Sequence, residues 1–197
     1  MTGKTVVLLP TYNERKNVAR IVPQIFAASP GTHILVIDDN SPDGTAEAVR
    51  TLALRYPNLS LFSRPAKQGL GEAYKAGMLC VLVDQSIERV FTMDADGSHD
   101  PEYIPALLRA SETHDIVIGS RYVRGGGIEN WERWRYLLSS WGNRYARAIT
   151  GLPVKDMTAG FICIRADKLR KVDFSQLEAS GYAFLMELKF RVIRSLK

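Results

Sequence analysis

Asp94-Ala95-Asp96 is the sharpest chemical signal in the chain, because it directly follows the apolar run Val90-Phe91-Thr92-Met93. Two carboxylates one residue apart at a strand end offer hard oxygen ligands to a divalent cation, Mg²⁺ or Mn²⁺, whose remaining ligands can be diphosphate oxygens. Such an ion neutralises charge that builds on a leaving nucleoside diphosphate, which is Lewis-acid catalysis. Ser98 can add a further oxygen, directly or through water. Three other readings compete. An EF-hand loop starting at Asp94 wants Gly at its sixth place and Glu at its twelfth, where His99 and Pro105 stand. An aspartyl-nucleophile phosphatase also uses D-x-D-x-S after a strand, and Asp96-Gly97 is by itself an ordinary turn signal.

The second cluster is Asp38-Asp39, after the run Ile34-Leu35-Val36-Ile37. A carboxylate at that edge contacts the ribose or base of a bound nucleotide in doubly wound folds. Two adjacent aspartates repel unless one is hydrogen-bonded, and Ser41-Pro42-Asp43-Gly44-Thr45 also reads as a plain turn with Ser41 or Asp43 as N-cap. Lys67-Gln68-Gly69-Leu70-Gly71 opens a helix after the third run, where glycines permit close approach to phosphate and Lys67 adds charge. No G-x-x-x-x-G-K-[ST] and no G-x-G-x-x-G is present, so P-loop kinases and nicotinamide dehydrogenases lose their signatures. The three histidines, His33, His99 and His114, have no metal-ligand spacing.

The elements that must position these groups follow from periodicity. Residues 6–9, 34–37, 59–62, 90–93 and 116–119 are short, β-branched and apolar, as strands buried on both faces are. Helices are expected near 15–28, 43–55, 71–85 and 101–113. This alternation predicts a doubly wound α/β sheet, whose ligands bind beyond the carboxyl ends of the strands. Polar residues collect at those ends, from Pro10-Thr11-Tyr12-Asn13-Glu14 to Ser120-Arg121-Tyr122.

A length of 197 residues suits one domain with its own core. Cys80 and Cys163 lie in apolar stretches without CxxC spacing and read as reduced core residues of a cytosolic protein. No apolar run approaches the roughly 20 residues of a membrane span, and the N-terminus lacks a secretion signal. Most of the net charge of +5 is local, since residues 121–150 hold six arginines and two glutamates. That concentration points to a phosphate-bearing or polyanionic partner. After the glycine run 125–127, which reads as a hinge, Trp131 to Trp141 mixes aromatics with arginines. Such a stretch suits a membrane surface that captures phosphate, single-stranded nucleic acid, or packing against the sheet. The strand-end acidic motifs argue against nucleic acid, because they repel its phosphates unless a metal is bound.

The ordered motifs PTYNE (10–14), DDNSPDGT (38–45), RPAKQGLGEAY (64–74), MDADGSHDPE (93–102), GSRY (119–122), Arg135 with Ser139, DMTAGF (156–161) and GYAF (181–184) span nearly the whole chain. They resemble the family 2 inverting glycosyltransferases, within them the dolichyl- or polyprenyl-phosphate mannosyltransferases. The resemblance implies a GT-A type, Rossmann-like doubly wound sheet, mixed but mostly parallel, with a nucleotide-sugar half (1–124) and an acceptor half (125–197). It implies that Pro10, Tyr12, Glu14, Ile37 and Asp39 hold guanosine, with Lys67 beside them. Asp94, Ala95 and Asp96 would contact diphosphate, sugar and metal, and Ser98 stands where some relatives place a Gln ligand. Arg121, Arg135 and Ser139 match positions that grip a lipid phosphate, and Asp156 is a candidate for positioning. The implied reaction passes mannose from GDP-mannose to a polyprenyl monophosphate, with inversion, using Mg²⁺ or Mn²⁺ on the cytosolic membrane surface; Asp94, Asp96 and Arg121 would carry it, with no general base. A UDP-glucose donor, or a nucleotide-sugar binding module without turnover, are the alternatives. Relatives continue past GYxF and its helix into another basic strand, so the resemblance implies a further C-terminal segment or a membrane-anchoring partner.

Overall fold

The computed structural model describes residues 3–123, 143–144 and 150–194. Its elements run β1 (Lys4–Thr11), α1 (Arg15–Ala28), β2 (His33–Asp38), α2 (Thr45–Ala53), β3 (Leu59–Ser63), α3 (Leu70–Leu82) and β4 (Ile87–Thr92). A 3₁₀ turn (Pro101–Tyr103) then leads into α4 (Ile104–Ala110), followed by β5 (Ile116–Ile118), β6 (Ile162–Arg165), α5 (Ala166–Leu169) and α6 (Tyr182–Arg194). The six strands form one sheet in the order β3-β2-β1-β4-β6-β5. Neighbours among the first four strands are parallel, and β6 runs antiparallel to both β4 and β5. The sheet is therefore mixed and mostly parallel.

Strand alternation sends side chains to two cores. Val6, Leu8, Ile37, Ile162 and Ile164 meet Tyr74 and Met78 of α3 and Phe184, Leu185 and Leu188 of α6. Val7, Leu9, Val36, Phe91 and Cys163 meet α1, through Val18, Ile21, Val22 and Ile25, and α4, through Ile104 and Leu107. The α1 residues recur at helical spacing, which is why one stripe of that helix is buried. Strand direction reverses its order of addition between β1 and β4, so the crevice at their carboxyl ends is the topological switch point.

β6 is inserted between β4 and β5, because Ile162-Cys163-Ile164 is apolar toward both cores and pairs with Val90, Phe91 and Thr92. Three expectations need correction. β3 is not buried on both faces, since it is a sheet edge and its burial falls away after Leu59. Helix α2 begins at Thr45 behind Gly44, whose φ of 84° takes the left-handed cap, so neither Ser41 nor Asp43 is the cap residue. Cys80 is exposed on α3, whereas Cys163 is buried and burial pushes its thiol up to about 12. Among the described residues no helix is long and apolar enough to cross a membrane.

Candidate active site

The Asp94-Ala95-Asp96 turn leaves β4 at the switch point and is braced from several elements. Tyr74 of α3 donates its hydroxyl to Asp94 Oδ1 at 2.9 Å. The Asp94 amide donates to His99 Nδ1 at 2.9 Å, which places any ring proton on Nε2. Burial pushes the His99 imidazole down, toward its neutral form, against the pull of Asp94 and Asp96. Phe161 stacks on that ring, centroids 5.3 Å apart. Asp96 Oδ1 accepts the Ser98 amide at 2.8 Å, and Arg20 of α1 donates to the Asp96 carbonyl at 3.1 Å. Gly97 between them has φ 89°, a conformation L side chains rarely adopt. Ala95 is buried beneath the turn.

Two carboxylates of hard oxygen character suit Mg²⁺ or Mn²⁺. Among the described residues no group of three His, Cys, Asp or Glu is arranged to hold a metal ion. A cation here would take its other ligands from diphosphate, water or a hydroxyl such as Ser98, which fits an ion that arrives with its substrate.

The aspartate pair after β2 resolves into two different jobs. Asp38 is a structural turn residue: its carboxylate accepts the Thr11 hydroxyl at 3.1 Å, the Ser41 amide at 3.0 Å and the Ser41 hydroxyl. Asp39 faces Arg64, whose Nη1 lies 2.9 Å from Oδ1, with both side chains about 6% exposed. The Gln68 amide adds a bond at 3.3 Å, and Arg64 also holds the Gln68 side chain at 2.6 Å. Burial pushes the Asp39 carboxyl up while Arg64 pulls it down. Asp43 stitches loops, accepting the Arg15 amide at 3.1 Å and the Thr45 amide at 3.0 Å.

The remaining residues expected to hold a nucleotide lie on or next to β1, β2 and β3. Pro10 lies inside β1, in register with Ile37. Ile37 turns its side chain into the core against α3, close enough that a Cβ on Gly77 would meet its Cδ1 at 2.5 Å. Lys67 Nζ stands 4.0 Å from the centre of the Tyr12 ring, a cation–π pair at the crevice mouth. Glu14 accepts from Asn17, and its amide donates to Thr45 at 3.0 Å.

On the other side of the turn, Arg121 is clamped by Asp156, which is 0% exposed. Nε and Nη2 donate to its two oxygens at 2.9 and 2.7 Å, the Arg121 amide donates at 3.1 Å, and Nη2 also reaches Thr158 at 2.6 Å. Burial acts to raise the Asp156 carboxyl, but these bonds and the guanidinium charge outweigh it and hold it low. Lys189 of α6 donates to the Met157 and Ala159 carbonyls, both at 2.7 Å, and burial pushes its ammonium down to about 7. Gly160 completes the join: a Cβ there would meet His99 Cε1 at 3.0 Å and Asp94 Oδ2 at 3.3 Å. Arg135, Ser139, the glycine run and the tryptophan-rich stretch lie outside the described residues.

Sequence reasoning overlooked Arg64, Tyr74, His99 and Lys189 as members of the site. A lone Arg64 at the end of β3 becomes meaningful only through the β2–β3 register, in which Asp38 pairs with Ser63.

A doubly wound, mostly parallel sheet with a D-x-D turn at its switch point defines a GT-A type glycosyltransferase. The fold matches the crystal structure of M. tuberculosis glucosyl-3-phosphoglycerate synthase with TM-score 0.67 and 20% identity, covering 95% of this chain and 65% of that one. The chain belongs to glycosyl transferase family 2, whose model matches residues 6–173. It is 42% identical over 200 residues to a polyprenol monophosphomannose synthase of Mycolicibacterium smegmatis, covering 98% of this chain and 74% of that protein. It is also 41% identical over 191 residues to an undecaprenyl-phosphate mannosyltransferase of Micrococcus luteus, covering 97% and 78%. A dolichol-phosphate mannosyltransferase of Pyrococcus furiosus is 36% identical over 192 residues, and the chain spans 52% of its length.

Proposed function

We propose that this chain transfers mannose from GDP-mannose to a polyprenyl, dolichyl-type monophosphate, with inversion, at the cytosolic face of a membrane. The observation that carries the reading is the juxtaposition at Gly160, where an added Cβ would meet Asp94 Oδ2 at 3.3 Å, while the same loop, through Asp156, holds Arg121 on the other side. A carboxylate pair for a diphosphate-bound cation and a fixed guanidinium for an acceptor phosphate thereby share one crevice. The names of the three relatives support a polyprenyl-type phosphate as the acceptor.

Asp94 and Asp96, with Ser98 as a further oxygen, would hold Mg²⁺ or Mn²⁺. When bound, that ion supplies charge neutralisation to the departing nucleoside diphosphate. Everything else falls to the chain. Pro10, Tyr12, Glu14, Asp39 and Lys67 line the donor edge, Ile37 has its side chain in the core and offers only its main chain there, and the Ala95 main chain carries the turn. Arg121 presents a charge that Asp156 and Thr158 orient, and Arg135 and Ser139 add to the acceptor grip. A phosphate acceptor is already ionised near neutral pH, so no side chain needs to act as general base, and orientation supplies the advantage.

Asp96→Asn should abolish Mn²⁺-dependent release of GDP from GDP-mannose in the presence of polyprenyl phosphate. Unchanged turnover would remove the metal role. Calorimetric titration with GDP and with UDP tests the donor: comparable affinities would overturn the guanosine assignment.

A further inference from the structure

We propose that Lys189 is a positioning residue that sets the spacing between the donor turn and the acceptor arginine by pinning the loop that touches both. The inference rests on the function proposed above for what the two ends bind, but its structural core does not.

Lys189 lies on the buried face of α6, in line with Leu185 and Val192, and is 0% exposed. Lysine is costly there unless its ammonium is paired or hydrogen-bonded. Its Nζ donates to two carbonyls, Met157 and Ala159, both at 2.7 Å. The intervening and adjacent residues are the ones that act outward. Asp156 clamps Arg121 by side chain and by amide, Thr158 receives the Arg121 Nη2, and Gly160 abuts Asp94 and His99. Thr92 at the end of β4 holds the Gly160 carbonyl, so the loop has one anchor in the sheet and one in α6. An apolar side chain at 189 would leave the two carbonyls without the ammonium, and burial by itself disfavours a lysine, so packing does not account for one. The role accounts for a feature of the chain that catalysis by contact does not use: Lys189 touches no group proposed to meet a substrate.

The test compares Lys189→Met with the unaltered chain, both checked for folding by circular dichroism. Hydrogen exchange should accelerate about 10-fold or more at the Arg121 amide and through 156–161, with the amides of β1 to β3 unchanged. In turnover assays kcat should fall on the order of 100-fold, the size expected of an ångström-scale misplacement, while the dissociation constant for GDP stays within about twofold. Lys189→Gln, which keeps a donor for one carbonyl, should recover part of both effects. Protection of the Arg121 amide equal to that of the unaltered chain would overturn the proposal, as would loss of the fold in both variants, which would make Lys189 a core requirement. If the unaltered chain fails to turn over GDP-mannose, the functional reading falls, and the exchange result alone decides the role of Lys189.

Discussion

Arg64 and Asp39 form a buried pair in which each side chain depends on the other. Each side chain is about 6% exposed, and their closest atoms are 2.9 Å apart. Removing one member of such a pair leaves a buried charge without its partner, which costs about 3–5 kcal/mol, whereas replacing both by apolar groups can be neutral. Arg64→Met should therefore lower the unfolding free energy measured in urea by that amount, and Asp39→Asn in the same chain should recover most of it. A double-mutant cycle measures the coupling; additive losses would show that the pair does not interact. Asp38, by contrast, is spent on Thr11 and Ser41 and should respond as a turn residue, with no coupling to Arg64.

At the level of elements, the Asp94-Ala95-Asp96 turn depends on the seat of α3 against α6. Tyr74 of α3 holds Asp94, and α3 approaches α6 closely at Gly71, where a Cβ would stand 2.9 Å from Phe184 Cβ. A side chain there gains less than about 1 kcal/mol in helix propensity over glycine, while overpacking a tight contact costs about 1–3 kcal/mol. The second effect is the larger. Gly71→Val should lower the thermal midpoint, and a raised midpoint in a melting experiment would show that the two helices are not in close contact. The insertion of β6 matters at the same scale, because it carries Phe161 and Gly160 to the edge beside Asp94.

For the whole molecule, the balance of perturbed carboxyls sets the response to acid. Hydrogen bonds from Ser86, and then Lys4, hold Asp84 at about 2. Burial acts to raise Asp43, Asp156 and Asp167, but hydrogen bonds outweigh it and leave all three low, while Ser175 lowers Asp173. A carboxyl that is more acidic in the folded chain binds fewer protons than in the unfolded one, so its contribution is present above the ordinary carboxylate range and is lost as pH falls through it. Buried His99 works in the same direction below its ordinary value, because the unfolded imidazole accepts a proton that the folded one resists. Asp39, pushed up by burial, opposes them. The urea midpoint should fall between about pH 6 and about pH 2, less steeply in Asp156→Asn; a flat profile would mean that these bonds contribute nothing to folding.

Local patterning was enough to determine the strand-helix alternation, the positions of the first four strands, and the D-x-D turn at a strand end, because strand and helix periods and turn chemistry are properties of adjacent residues. The motif order from PTYNE to GYAF was likewise enough to indicate the family. Only the tertiary structure decided which strands are neighbours: an antiparallel β6 pairs residues 89–92 with 162–165, seventy or more positions away. It alone separated Asp38 from Asp39, made Arg64 a partner, exposed Cys80, and brought Lys189, Asp156 and Arg121 into one chain of contacts. The physical reason is common to all of these. A charged side chain takes its role from what lies across the sheet or on the packed helix, and that partner is set by topology, not by the residues beside it in sequence.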